Sequence, residues 1–167
     1  GNAYGGALLR EAKAIQPDLL AIESSLNVTF ARRALRAARA SGSAFLVDYV
    51  RDSIDLENAI TALVLAGEEA DAPGKRAFVE GGRRLSLEAF LDALAAGDAA
   101  AAGARLAPAF RPTPLAKVFE SAASAATIED ELLRARIALL HGAERQDPAG
   151  LASVLEFALR VRAEASD

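Results

Sequence analysis

The chain contains no cysteine and a single histidine in 167 residues. The first absence removes disulfides, thiolate zinc sites and cysteine nucleophiles together. The second leaves no histidine-rich metal site and no Glu-x-x-His pair. Aromatic residues are only 5% of the chain, and much of its 52% hydrophobic content is alanine. Alternating runs of Val, Ile and Thr are missing, so few or no strands are expected. No apolar run approaches the length that spans a bilayer, so direct membrane insertion is not expected. The net charge of −4 is modest and basic residues are scattered among acids, which argues against a nucleic-acid surface.

Ala, Leu, Arg and Glu dominate what is present. Their side chains lose little rotamer freedom in a helix, so the expected fold class is all-α. Residues 1–3, Gly1-Asn2-Ala3, read as a cloning scar at the head of an excised fragment. A first helix is predicted over Tyr4–Ile15, ended by Pro17. Asp18 caps a second, through Ala40, in which Asn27, Val28 and Thr29 suggest a kink. Its expected apolar face is Leu26, Phe30, Ala34 and Leu35, with Arg32, Arg33, Arg36 and Arg39 opposite. Ser41-Gly42-Ser43 stops it and caps the next helix, Ala44–Ala66.

After a polar loop at 68–75, Phe78-Val79-Glu80 reads as a short extended piece and Gly81-Gly82 as a turn. Ser86 caps a helix to Ala96, and Gly97-Asp98 restarts another to Leu106. Residues 107–114 hold Pro108, Pro112 and Pro114 and are expected to link two helical subdomains, 4–106 and 115–167. Helices are then expected over Leu115–Ala125, from Thr127 to His141 with Gly142 ending it, and from Asp147-Pro148 to about Ala165.

The central helix carries a cluster, Asp55-Leu56-Glu57-Asn58. At about 100° per residue, Asp48, Arg51, Asp52, Asp55 and Asn58 share one stripe, with Asp48–Arg51 and Arg51–Asp55 spaced for pairing. Such a stripe reads first as a solvated face. Phe45, Tyr49, Leu56, Ile60, Leu63 and Val64 lie on the opposite arc, and Glu57 sits in its middle. An unpaired buried carboxylate costs several kcal/mol, so Glu57 needs a partner or water. Arg136 projects from the apolar arc of the helix after Thr127, and a Glu57–Arg136 ion pair between helices is the expectation, against each snorkelling to its own surface.

Catalytic readings find little support. His141, beside Gly142 at a helix C-terminus, reads as a dipole-favoured capping residue. The loop from Gly67 to Lys75 has the wrong spacing for a phosphate loop and Arg76 where Ser or Thr belongs. The amides of Gly81-Gly82-Arg83 are able to bind an anion, but a tight turn is the simpler reading. No acid/base pair stands out among the carboxylates.

Asp48–Gly67, DYVRDSIDLENAITALVLAG, followed by FVEGGRRLS at Phe78–Ser86, resembles the central part of the C/d subunit of rotary V/A-type ATPases. Glu131–Glu164, with Asp147-Pro148 between its two helices, is similar to that family's C-terminal part. The positions carrying the resemblance are Asp55, Glu57, Asn58, Gly81, Gly82, Arg83, Asp147 and Pro148. It spans about Leu19 to the end and corresponds to the latter half of a typical member. The resemblance implies an all-helical, funnel-like protein of similar subdomains, incomplete here. It implies a non-catalytic rotor part without cofactor or metal, cytoplasmic and peripheral to the membrane through its complex. Its partners would be the central-stalk subunits and the membrane proteolipid ring, and it would couple ATP hydrolysis or synthesis to proton or sodium movement. The alternatives are a helical scaffold or adaptor, and a small-molecule-binding bundle with an apolar pocket lined by Phe45, Tyr49 and Phe90.

Overall fold

The computed structural model describes residues 19–67, 76–122, 125–143 and 150–164. Those residues form seven α-helices and a 3-10 turn, with no strand among them. Helix α1 is Leu19–Ala40, α2 Ala44–Leu65, α3 Leu87–Leu94 and α4 Ala99–Leu106. The 3-10 turn Ala107–Phe110 follows, then α5 at Pro114–Glu120, α6 at Ala125–Ala143 and α7 at Leu151–Glu164. The expected all-α class is what forms. The predicted helix Tyr4–Ile15, residues 1–3, the Asp18 cap and Asp147-Pro148 lie outside the described residues.

The N-caps follow the sequence. Ser43 accepts from the Leu46 N–H, Ser86 from Ala89 and Asp98 from Ala101, each satisfying a donor that the first helical turn leaves orphaned. Helix α1 runs unbroken through Asn27–Thr29, where a kink was expected. Thr29 Oγ1 donates to the Ser25 carbonyl at 2.8 Å, so its hydroxyl bonds within the helix instead of competing with it. The buried edge of α1 is Ala31, Leu35 and Ala38, an i, i+4, i+7 set, while Phe30 is 64% exposed. Small side chains win that face because α1 packs closely on α2 as a hairpin, around a minor cluster of Ala31, Ile54 and Val79.

The main core runs from Leu56 on α2 to Ala135 on α6. Phe90, Phe110 and Phe119 are its largest sealed side chains. Phe78 tilts against Phe90 at 5.2 Å between centroids, and Phe110 against Phe119 at 4.6 Å, offset geometries that aromatic quadrupoles favour. The proline stretch 107–114 is therefore no free linker. Ala107 and Phe110 are buried in the same core as α3 and α6, and one cluster crosses the expected subdomain boundary. Helix α5 stops at Glu120, earlier than expected, and the Ser121 hydroxyl donates to the Lys117 and Val118 carbonyls there. Helix α6 begins before Thr127 and continues past Gly142 to Ala143.

Helix α7 packs on α6. Ala152 and Leu159 are buried, and so is Glu156. His141, in the last turn of α6, lies 3.3 Å from Glu156 Oε2, and Arg160 closes on Oε1 at 2.6 Å. His141 thus holds the C-terminal position the sequence suggests and also ties α6 to α7. The opposite side of α7 exposes Val154, Phe157 and Val161.

Candidate functional site

The polar stripe of α2 is sealed from solvent at its C-terminal end. Asp55 is fully buried and Asn58 is 1% exposed. Segment 78–85 lies along the stripe and presents its backbone to it. Asp55 Oδ2 accepts from the N–H groups of Arg83 at 2.8 Å and Arg84 at 2.9 Å, and Oδ1 from Leu85 at 3.1 Å. One turn on, Asn58 pairs with Val79 in both directions: its Nδ2 donates to the Val79 carbonyl at 2.9 Å and its Oδ1 accepts from the Val79 N–H at 2.8 Å. The Asn58 amide therefore treats Val79 as a strand partner would.

Backbone donors make this burial affordable. A carboxylate sealed from water is costly unless donors surround it, and charge-assisted bonds to N–H groups are among the stronger ones. Three successive amides after a glycine turn form an anion-binding concavity. The turn at Gly81-Gly82 thus does both things considered for it. It is a tight turn and it binds an anion, the anion being the carboxylate of Asp55. Gly81 has φ +120°, and a Cβ on Gly82 would overlap Asp55 Oδ1, so both glycines are demanded by the backbone geometry.

Two further aspartates hold the turn from outside. Arg83 makes a two-point bond to Asp52, through Nε at 2.7 Å and Nη2 at 2.7 Å, and reaches Asp48 with Nη1 at 3.0 Å. Arg84 Nε also donates to Asp52, at 2.9 Å. Burial pushes the Asp52 carboxyl upward, but the hydrogen bonds and charge of Arg83 and Arg84 outweigh it and hold it below its ordinary value. The bond to Asp52 in turn raises Arg83. Arg51 takes neither Asp48 nor Asp55, contrary to the pairing its spacing suggests. Its Nε is buried without a hydrogen-bond partner among the described residues.

The orientation of α2 therefore reverses the helical-wheel expectation for its polar residues. Glu57, expected to face the core or a partner, is exposed beside a groove with Ser24, Asn27 and Thr61. The Glu57–Arg136 pair is not formed. Arg136 Nη2 donates instead to Tyr49 Oη at 3.1 Å and Ser53 Oγ at 3.3 Å, and its guanidinium lies 5.8 Å from the Tyr49 ring centroid. The physical reason is that α2 is covered on two sides, by the main core and by segment 78–85, so its free side is the one left over at Glu57 and Val64. Asp48, Asp52 and Arg84 were missed as partners of the turn. Their signal was the i, i+4, i+7 spacing of Asp48, Asp52 and Asp55 opposite two consecutive arginines.

Beside this clamp, α2, α5 and α6 line a half-open cavity of about 410 Å3. Phe45 and Tyr49 line it as the ligand-binding alternative requires, but Phe90 is sealed in the core instead. Among the described residues no group of His, Asp and Glu is assembled to hold a metal ion, and no helix is long and apolar enough to cross a membrane. The aspartates of the clamp all receive donors from the turn, so the arrangement fastens a loop to a helix.

No curated protein and no solved structure matches the chain. A family model described as ATP synthase (C/AC39) subunit matches residues 2–167. That span takes in the whole clamp, from Asp48 through Asn58 to the glycine turn and its two arginines. The chain belongs to the ATP synthase C/AC39 subunit family.

Proposed function

We propose that the chain is a non-catalytic part of a V/A-type rotary ATPase that couples the central stalk to the membrane proteolipid ring during proton or sodium transport. The observation that carries the reading is the family match over residues 2–167. The clamp supports it. Its carboxylates bond to the protein's own amides and arginines, which makes them poor acids or bases for a substrate. A coupling element must resist torque, and a core continuous from α2 to α6 ties successive helices together.

Two faces suit docking. One is the basic side of α1, where Arg32, Arg36 and Arg39 are exposed. The other is the apolar stripe of α7, Val154, Phe157 and Val161. The acidic stripe Asp48–Asp55 is not a third such face, because its carboxylates are spent on the Gly81-Gly82 turn and its arginines. Purification of the ATPase from source membranes in mild detergent should bring the chain down with central-stalk and proteolipid subunits. Its repeated absence from a complex that still couples ATP hydrolysis to ion movement would sink the reading.

A further inference from the structure

We propose that the cavity between α2, α5 and α6 is a receptor for a single carboxylate carried on an apolar body. Three observations converge on it. The first is the state of Arg136. Its hydrogen bonds to described residues both run through Nη2, to the neutral oxygens of Tyr49 and Ser53. No carboxylate among the described residues pairs with it, and Nε and Nη1 have no acceptor there. A guanidinium has five N–H donors and a strong preference for carboxylates, so this one is under-used.

The second observation is the direction of the neighbouring hydroxyls. Ser53 Oγ spends its proton on the Tyr49 carbonyl at 2.9 Å, which leaves its lone pairs to Arg136. Tyr49 Oη accepts from Arg136, and its own proton has no acceptor among the described residues. A phenol O–H and a guanidinium, already held together, thus offer donors to the same incoming anion. Both side chains line the cavity.

The third is the balance of the walls. Among the described residues the charged lining is three guanidiniums, Arg83, Arg84 and Arg136, against two carboxylates, Asp48 and Asp52, leaving one positive charge in excess. Arg83 and Arg84 are already engaged by the aspartates. One negative charge completes the site, and a dianion such as phosphate exceeds it. The rest of the wall includes Phe45, Leu56, Leu115 and Leu139, which favour an apolar stem behind the carboxylate. A volume of about 410 Å3 suits a small acid or the final residue of a peptide. The inference does not depend on the coupling role.

Calorimetric titration of the chain with hexanoate, hexanamide and inorganic phosphate tests it. Hexanoate should bind at least about tenfold more tightly than either competitor. Arg136→Gln should weaken hexanoate about tenfold or more, and Tyr49→Phe, which keeps the ring under Arg136, by about threefold. Equal binding of acid and amide, tighter phosphate, no hexanoate binding below about 10 mM, or unchanged binding by both variants would each overturn the proposal. If Arg136→Gln does not fold, Tyr49→Phe decides alone. A tetrapeptide ending in a free leucine carboxylate, run beside its C-terminal amide, separates the sources. Tighter binding than hexanoate assigns the carboxylate to a chain terminus, and weaker binding assigns it to a free acid.

Discussion

Gly82 lies against Asp55 so closely that a Cβ built on it would overlap the carboxylate oxygen Oδ1. The carboxylate has little room to retreat. It is fully buried and held by three backbone N–H groups on the far side of the same turn. The glycine and the aspartate are therefore one device, in which the missing side chain makes room for the anion.

Gly82→Ala should accordingly lower unfolding stability by about 2–4 kcal/mol, from overpacking together with weakened bonds to Asp55. Urea unfolding followed by circular dichroism reads this as a lower midpoint with the slope unchanged. A midpoint equal to that of the unaltered chain would mean that the turn slides off α2 without cost.

Adjacent members of the Asp55–Asn58 cluster should behave oppositely. Asp55→Asn places an amide donor against backbone donors, and Asn58→Ala strands both the N–H and the carbonyl of Val79 in a buried site. Each should cost about 2–3 kcal/mol. Glu57→Ala, at an exposed position between them, should stay within about 0.5 kcal/mol. The comparison needs three urea melts, and a Glu57 variant as damaging as the other two would contradict the orientation of α2.

That contrast marks where sequence reasoning reached and where it stopped. Helix positions, the caps Ser43, Ser86 and Asp98, and the glycine turn were legible because local chemistry decides them. The burial of Asp55 and Asn58 was not. A helical wheel ranks residues by polarity, and a carboxylate that will meet backbone amides 28–30 residues away looks the same as one that will meet water. Glu57 was misplaced by the same logic, since its apolar neighbours Ile60 and Val64 are not sealed in the core. The proline stretch failed differently. Pro108 and Pro112 signal a break in helix geometry, but burial of Phe110 against Phe119 is a tertiary fact that proline spacing does not carry.

Acid should weaken the outer part of the clamp. Asp52 has a folded value held below its ordinary 3.8, so its contribution is fully present above that ordinary value and is lost as pH falls through the lower, folded one. Asp52 and its arginines are partly exposed, which limits the effect to about 1 kcal/mol. The stability gap between the unaltered chain and Asp52→Asn should be constant from about pH 7 to pH 5, then shrink as the solution is acidified further. Paired urea melts across that range check it, and a gap unchanged at about pH 2 would remove Asp52 from the account.

Gly103 tests the packing of the stretch that had looked like a linker. It lies on α4, and a Cβ there would meet the backbone carbonyl of Phe119 and come within 3.0 Å of the Ala122 Cβ. Neither contact is the end of a flexible side chain, so α4 and the end of α5 would have to move apart. Alanine gains about 1 kcal/mol over glycine from helix propensity alone. The overpacking cost should lie in the upper part of its usual range, about 2–3 kcal/mol, because a main-chain carbonyl is the obstacle, leaving Gly103→Ala a net loss of about 1–2 kcal/mol. Gly97→Ala supplies the control. It precedes the cap of the same helix, and a Cβ there meets nothing within 4 Å. Its stability should stay within about 0.5 kcal/mol of the unaltered chain. Thermal melts of the pair decide the matter: if Gly103→Ala were as stable as Gly97→Ala, α4 and α5 would not be in the close contact that makes 107–114 part of the core.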